Sequence, residues 1–371
     1  MEPVIAELGE RLDALRLVDN HVHGFWLSDR ERRGFENGLN EANTAPLADF
    51  DSGFDTQLGF AVRAHCAPLL GLPAHADPDS YWYRRSELSP LELAQIFLPA
   101  AGVGDWLVDT GLPGSVAGLA ELGAVTHAGV REVVRLEQVA EQAISRPGDY
   151  RDNFCEMLTT RMESAAAAKT VLAYRGGFEG DLSAPSAAEV ATAATRWRDH
   201  GAGRLTDRVL LLFGIHQALR IGKPVQFHVG LGDRDCDLHR TNPMHLLDLL
   251  RGSGDTPVVL LHCYPYEREA GYLAQAFNNV YLDVGLSVNH LGARAQAFIA
   301  RTLELAPFRK ILYSSDAFGT PELHYLGARL WRDGMAAVLG DFVNRGQWGL
   351  DDAIRVAELI GRGNATRVYR I

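Results

Sequence analysis

Eight short apolar runs alternate with longer helix-like stretches along this chain, and this alternation constrains the fold more than any other feature. The runs are rich in β-branched residues, as expected for strands that are buried on both faces. Strands that alternate with helices favour right-handed βαβ units and a parallel sheet, and eight such units predict an α/β fold of the (β/α)8 TIM-barrel type. The predicted strands are residues 16–23, 104–110, 130–136, 170–174, 224–229, 257–262, 280–284 and 310–316.

An open, doubly wound sheet is the competing architecture. That fold usually carries a glycine-rich phosphate loop after its first strand. Here the first strand ends instead in His-Val-His-Gly-Phe-Trp at residues 21–26, which is typical of a metal site. The sequence therefore favours the closed barrel.

The gap between the first two predicted strands is unusually long. It spans about 80 residues, whereas a plain βαβ unit takes roughly 30. Residues 29–99 contain aromatic and arginine side chains and two helix-like pieces. We interpret this segment as a helical insertion over the barrel mouth, so that residues 1–371 form a single domain.

Charge and composition exclude several classes of protein. The formal net charge is −11, which argues against nucleic acid or an anionic membrane as a partner. The sequence has no run of 18 apolar residues and no signal-peptide pattern, and its four cysteines form no C-x-x-C pair. We therefore expect a cytoplasmic protein that acts on a small molecule. The apolar and aromatic insertion predicts a homo-oligomer, at least a dimer.

Five residues with metal-binding side chains fall at the same end of their predicted strands. His21 and His23 are two residues apart, so a strand points both into the barrel. His228, His262 and Asp316 each end another strand. Any one of them could be a strand terminus or a helix N-cap, but the mouth of a barrel brings all five together. Imidazoles and a carboxylate suit Zn²⁺, with Fe²⁺ or Mn²⁺ as alternatives.

This arrangement resembles the metal-binding pattern of the amidohydrolase superfamily, and the resemblance covers nearly the whole chain in strand order. The second half is most similar to the amidohydrolase-related branch that includes domains fused to glutamine-synthetase-like enzymes. The stretches that carry this similarity are residues 226–233, 260–266, 279–284 and 314–317.

The resemblance implies a role for each residue of the set. His21, His23 and His228 are the implied imidazole ligands. Asp316 is the implied carboxylate that binds the metal and handles the water proton. His262 orients the water or substrate in one-metal members and binds a second ion in two-metal members.

Two-metal members also carry a bridging carboxylated lysine at the C-terminal end of the fourth strand. Here the lysine nearest to that position is Lys169, at the start of the predicted fourth strand, after an alanine run at 165–168 that fits a helix. It would lie roughly 20 Å from the mouth along an extended strand, too far to bridge two ions. The sequence therefore predicts one divalent metal, with Zn²⁺ as the first choice.

The function that follows is a metal-dependent hydrolase, in which an activated water cleaves an amide or other C–N bond of a small molecule. The alternative is a metal-dependent, non-oxidative decarboxylase of a small carboxylic acid, because the resembled branch contains both kinds of enzyme. A non-catalytic barrel is disfavoured, because all five site positions are retained.

Four further residues are candidates for substrate contact, each with a structural alternative. Arg175 could clamp a carboxylate or form an ion pair at the rim. Trp26 could wall the pocket or pack the insertion. Asp233 could attract a cationic amine or lie in a solvated loop. Tyr264 could donate to an oxyanion or serve in packing.

Overall fold

The computed structural model describes residues 2–112 and 116–371, and its centre is one sheet of seven parallel strands. The strands pair in chain order, each with the next. They are β1 (Leu17–Val22), β2 (Val103–Asp109), β3 (Gly129–Arg135), β4 (Ala167–Thr170), β5 (Val225–Val229), β6 (Val258–His262) and β7 (Val280–Leu282).

The eighth predicted strand closes the sheet without forming a regular strand. The Leu312 N–H donates to the Leu282 carbonyl on β7 at 2.8 Å, and the Asp316 N–H donates to the His21 carbonyl on β1 at 3.0 Å. Residues 311–317 thus lie between β7 and β1. The TIM-barrel fold is confirmed, with an irregular segment in the eighth position.

The fourth strand is where the predicted boundary is wrong. It covers Ala167–Thr170, and residues 172–175 form a 3₁₀ turn rather than a strand. Glu137 ends the strand, because its Oε1 accepts from the Thr170 hydroxyl at 2.7 Å and from the Val171 N–H at 2.9 Å. Alanine favours helices, but pairing with β3 and β5 places the end of the alanine run in the sheet.

Helices surround the sheet on its outer side and also fill the long gap after β1. The α-helices of the described residues are α1 (Glu2–Ala14), α2 (Arg32–Asn37), α3 (Gln57–Ala61), α4 (Pro78–Ser86), α5 (Pro90–Ala100), α6 (Leu119–Thr126), α7 (Leu136–Ile144), α8 (Tyr150–Ser164), α9 (Ala187–Asp199), α10 (Arg208–Ile221), α11 (Leu247–Gly252), α12 (Glu267–Ala276), α13 (Ser287–Leu291), α14 (Ala295–Thr302), α15 (Pro321–Asn344), α16 (Leu350–Glu358) and α17 (Asn364–Tyr369). The short 3₁₀ and π segments are Val62–Cys66, Ala67–Leu70, Leu172–Arg175, Leu238–Thr241, Pro243–Leu246, Gly292–Arg294, Phe308–Lys310 and Leu359–Gly363.

A buried ion pair ties the segment between β1 and β2 to the barrel. Arg85 on α4 donates from Nε to Oε1 of Glu322, at the start of α15, over 2.6 Å. The Tyr81 hydroxyl donates to the same oxygen at 3.2 Å. Both charged side chains are buried, so α4 is fixed beside the segment that closes the barrel.

Two layers of side chains fill the barrel interior beneath its mouth. The lower layer is apolar and includes Val18, Leu107 and Val133, and α17 covers it with Val368 and Tyr369. The next inward positions, two residues further along β2, β3 and β4, carry polar side chains. In the part of the chain that the structure describes, no helix combines the length and apolarity needed to span a membrane.

Candidate metal centre

Asp316 lies at the centre of the predicted metal site. Its Oδ1 is 3.2 Å from His21 Nε2 and 3.3 Å from His23 Nε2. Its Oδ2 is 3.5 Å from His262 Nε2. The ends of β1, β6 and the eighth segment therefore bring four of the five predicted residues together.

Several polar atoms of the five predicted residues are buried and have no hydrogen-bond partner among the residues that the structure describes. They are both ring nitrogens of His262, Nε2 of His228 and Oδ1 of Asp316. A buried polar atom left without a partner is costly, and such atoms normally have one. A divalent cation supplies that missing partner to imidazole nitrogens and a carboxylate at once. The donor set thus fits the metal that the sequence pattern implies.

Burial keeps the imidazoles in the form that binds metals. It lowers the pKa of His21 to about 4 and that of His262 to about 3. Both rings are therefore neutral at pH 7, with a lone pair free for a cation. The ligand atoms of His21, His262 and Asp316 all lie within 4.8 Å of one another.

A hydrogen-bond network orients His21 from below. Its Nδ1 is 2.8 Å from Oε1 of Gln226. Gln226 in turn donates from Nε2 to the Tyr369 hydroxyl at 2.9 Å, which donates to Oδ1 of Asn20 at 2.8 Å. Because the amide oxygen only accepts, it places the ring proton on Nδ1 and leaves Nε2 facing Asp316.

His228 lies beside the group of four rather than within it. Its ring centroid is 4.5 Å from that of His262, and its Nδ1 is 3.3 Å from the Tyr174 hydroxyl. The compact groups of candidate ligand atoms found in the described residues do not include it. His228 and His262 thus form a second imidazole pair, adjacent to the first.

The expected position of Lys169 is wrong. Because β4 ends at Thr170, Lys169 lies at the mouth end of its strand, and its Nζ is 3.2 Å from His21 Nε2. The side chain is buried, and burial lowers the pKa of its amine. The distance argument for a single metal therefore loses its premise.

Two further mouth residues were not predicted as part of the site, Asp109 on β2 and Arg135 on β3. The Asp109 carbonyl is 3.2 Å from His23 Nδ1, and this residue forms a second compact group of candidate ligands with His21 and His23. Asp109 Oδ2 accepts from Arg135 Nε at 3.1 Å and Nη2 at 2.7 Å. The signal available in the sequence was their period-two spacing from the apolar residues Leu107 and Val133.

Strained backbone holds two of the site residues. His262 has φ of 68° and Asp316 has φ of 48°, and both lie in the left-handed region that non-glycine residues seldom adopt. Such strain persists where the surroundings enforce it and is concentrated at functional sites. Both side chains are therefore turned into the mouth by the backbone itself.

A cavity of about 870 Å³ opens above the metal centre. His23, Lys169, His228 and Asp316 line its floor, and residues 37–46 form part of its wall. The cavity is large enough for a small organic substrate.

The predicted substrate residues differ in their relation to this cavity. Trp26, Arg175 and Asp233 line it. Arg175 donates from Nε to the Leu205 carbonyl at 3.0 Å and from Nη1 to the Tyr174 carbonyl at 3.3 Å. Backbone carbonyls therefore occupy two of the nitrogens of its guanidinium.

Tyr264, the fourth predicted substrate residue, is not among the residues that line the cavity. Its ring packs against Phe298, with centroids 5.9 Å apart. The geometry supports the packing alternative for this tyrosine.

Gly232 packs directly against His228, and we expect Gly232→Ala to weaken metal binding. A Cβ there would lie 2.6 Å from His228 Nε2 and 2.2 Å from the Tyr174 hydroxyl. Displacing a ligand or its support typically costs about tenfold to hundredfold in metal affinity, which competition with a chromogenic chelator measures. Gly203→Ala is the control, because no atom lies within 4 Å of its added Cβ. Equal affinities in the two variants would show that the contact is unimportant.

Comparison with known proteins identifies the family. The sequence profile of the amidohydrolase family Amidohydro_2 matches residues 113–371. The chain belongs to the amidohydrolase family. Protein fluG of Emericella nidulans is 30% identical to this amidohydrolase, and the match covers 96% of the amidohydrolase and 46% of fluG. The chain thus spans about half the length of that relative.

Solved structures agree with the family and the fold. A proposed metal-dependent hydrolase from Lactobacillus casei ATCC 334 is 27% identical, with a TM-score of 0.84 over 98% of this amidohydrolase and 97% of that chain. A uronate isomerase from Bacillus halodurans C-125 is 14% identical, with a TM-score of 0.66 over 100% and 96% of the two chains, which shows a shared fold alone. The chain is thus an enzyme of the metal-dependent amidohydrolase superfamily.

Proposed function

We propose that this amidohydrolase uses a metal-activated water to cleave an amide or other C–N bond of a small molecule. One observation carries the proposal. Asp316 lies within 3.2–3.5 Å of a nitrogen on each of three imidazoles at the floor of a substrate-sized cavity. A carboxylate in that position can bind a metal and exchange a proton with a water on it.

The chain's own residues divide the work of hydrolysis. When bound, a divalent cation held by the imidazoles and Asp316 lowers the pKa of a water toward neutrality and polarises a carbonyl. Asp316 takes a proton as the water oxygen attacks the carbonyl carbon. It then gives that proton to the nitrogen as the C–N bond breaks, so a carboxylic acid and an amine leave. His262 has both ring nitrogens available to orient the water or the carbonyl oxygen.

A substrate screen with isotopic water tests this function. The protein is loaded separately with Zn²⁺, Mn²⁺ and Fe²⁺ and incubated with γ-glutamyl amides, N-acyl amines and hydroxybenzoates in ¹⁸O water. Hydrolysis places one ¹⁸O in the acid product. Release of CO₂ with no ¹⁸O-labelled acid product would reject the hydrolase and identify the alternative decarboxylase.

The number of metal ions is a separate prediction. Lys169 lies where two-metal members of the resembled superfamily carry their bridging lysine, and His228 and His262 form an imidazole pair beside it. We therefore expect two equivalents of divalent metal per chain when bicarbonate is present to carboxylate Lys169. In Lys169→Ala, which cannot be carboxylated there, we expect about one equivalent. Elemental analysis of the purified proteins measures this. One equivalent in both proteins would restore the single-ion site.

We also propose that zinc is the native metal and that the protein is a cytoplasmic homo-oligomer, at least a dimer. Elemental analysis of protein purified from its own source, without added metal, tests the first point. Fractionation of the same cells tests the location. Size-exclusion chromatography with light scattering tests the assembly, and a monomer mass would reject the homo-oligomer.

A further inference from the structure

Arg135 is a buried cation at the mouth of the barrel that the proposed chemistry does not use. It is the last residue of β3, two positions after the inward-facing Val133, and it pairs in register with Lys169 on β4. Its side chain is 15% exposed and lines the cavity above the metal centre. A guanidinium is always charged at physiological pH and costs free energy to bury without a purpose.

Two of the three guanidinium nitrogens of Arg135 are bound to Asp109, and the third is not. Nε and Nη2 both donate to a single oxygen of Asp109, Oδ2, at 3.1 and 2.7 Å. Nη1 makes no hydrogen bond to any residue that the structure describes. Asp109 thus orients the group and leaves donors for a second acceptor.

A glycine at position 111 leaves the space that the Arg135 side chain occupies. A Cβ at Gly111, another residue of the cavity wall, would lie 2.3 Å from Arg135 Cδ and 2.5 Å from its Nε. The Gly111 N–H also donates to Oδ1 of Asp109 at 2.8 Å. The loop after β2 therefore fits closely around the paired side chains, as expected for a prepared site.

Other arginines of the cavity wall already bind other groups or lie in exposed positions at its edge. Arg175 donates to two backbone carbonyls. Arg204 pairs with Asp235 at 2.8 Å, with half of its side chain exposed. Arg30 stacks over Trp26 in an exposed position. Arg135 combines burial, a fixed orientation and free donors.

We propose that the substrate of this amidohydrolase carries a carboxylate and that Arg135 binds it on the β3 side of the cavity. This inference rests on the proposed function, because the bound anion is a substrate only if the protein is a hydrolase. Anion binding itself can be measured without turnover. Asp233 lines another part of the wall, and no ion pair forms between it and any residue that the structure describes. A carboxylate of the substrate is therefore favoured on the Arg135 side.

Calorimetric binding of glutarate and benzoate tests the proposal, with the neutral diamide glutaramide as the comparison ligand. Each is titrated into the metal-loaded protein and into protein stripped by a chelator, because a carboxylate can also bind the metal. We expect Arg135→Gln to weaken carboxylate binding about tenfold to hundredfold in both forms. Arg131→Gln, a change on the same strand at a partly exposed ion pair with Asp105, lies outside the cavity lining; it is the matched control and should bind as the wild type does.

The outcomes separate this inference from the proposed function. If Arg135→Gln leaves Asp109 buried and unfolds the protein, the Asp109→Asn/Arg135→Gln double variant removes both charges and is tested instead. Carboxylate binding that is unchanged in the variant, or lost on metal removal alone, overturns the proposal. Arginine-dependent binding in a protein that hydrolyses nothing in the screen would support the anion site and count against the hydrolase.

Discussion

The turnover of the Asp316→Asn variant is expected to fall about a thousandfold, with the fold intact. Asparagine has nearly the same shape but cannot accept the water proton, and it is a weaker metal ligand than a carboxylate. It also tolerates the left-handed backbone at this position, where φ is 48°. Loss of activity therefore reports chemistry rather than strain.

Steady-state kinetics on the substrate found in the screen measures this loss. Metal content and thermal unfolding are followed in parallel, because Asp316 is both ligand and proton carrier in the proposed mechanism. Asp248→Asn is the matched control, since it removes an exposed carboxylate that pairs with Arg251 and does not line the cavity. Full activity in Asp316→Asn would refute the proposed role.

Replacing Glu322 by glutamine is expected to give the largest change in stability. The Glu322 carboxylate is fully buried and accepts from both Arg85 and Tyr81. Its loss leaves the Arg85 guanidinium buried without a counter-charge, which typically costs about 3–5 kcal/mol. Urea unfolding measures this as a lower midpoint with an unchanged slope.

The pH dependence of that difference follows from the pKa of Glu322. Burial opposes ionisation, but the Arg85 guanidinium outweighs it and lowers the pKa of this carboxyl below its usual value. A lowered folded-state pKa stabilises the protein above the unfolded value, about 4.3, and the gain is lost as pH falls through the folded value. The wild type and Glu322→Gln should therefore converge in acid.

Two controls separate the ion pair from general damage. The Arg85→Met/Glu322→Leu variant removes both charges and should recover much of the stability, because an apolar pair can replace a buried ion pair. Asp248→Asn breaks an exposed pair with Arg251 and should change little. A Glu322→Gln midpoint equal to that of Asp248→Asn would show that the buried pair is unimportant.

The strand-end residues could be read from the sequence because the rule that places them is local. His21, His23, His262 and Asp316 each follow an apolar run, and a barrel brings such ends to one mouth. The structure places them in one group. The irregular backbone at His262 and Asp316 could not be predicted, because it depends on neighbouring segments rather than on local propensity.

The fourth strand shows what defeats a local rule. Thr170 and Val171 look like the start of a strand, but Glu137, more than thirty residues earlier, ends the strand there. The error moved Lys169 out of the site. With the correct boundary, the same period-two spacing that links Leu107 to Asp109 and Val133 to Arg135 would have placed Lys169 inside.

Long-range support of the site was beyond sequence reasoning. His324 lies 2.9 Å from the His23 carbonyl through its Nε2, across 301 positions of the chain. The Tyr369 hydroxyl reaches Asn20 across 349 positions. A single sequence contains no signal for such pairings.

The position of Tyr369 has a consequence for how the metal centre matures. Every barrel segment precedes α17 in the chain, yet one of the two groups that hold the Gln226 amide beneath His21, the Tyr369 hydroxyl, comes from α17. The other is the Asn20 carbonyl on β1, at 2.7 Å. Until α17 docks, the Asn20 carbonyl alone holds the Gln226 amide, and the apolar lower layer of the barrel is uncovered. Docking of α17 therefore completes both the floor of the barrel and the support beneath its first histidine, which links the packing of the last helix to the order of the metal centre.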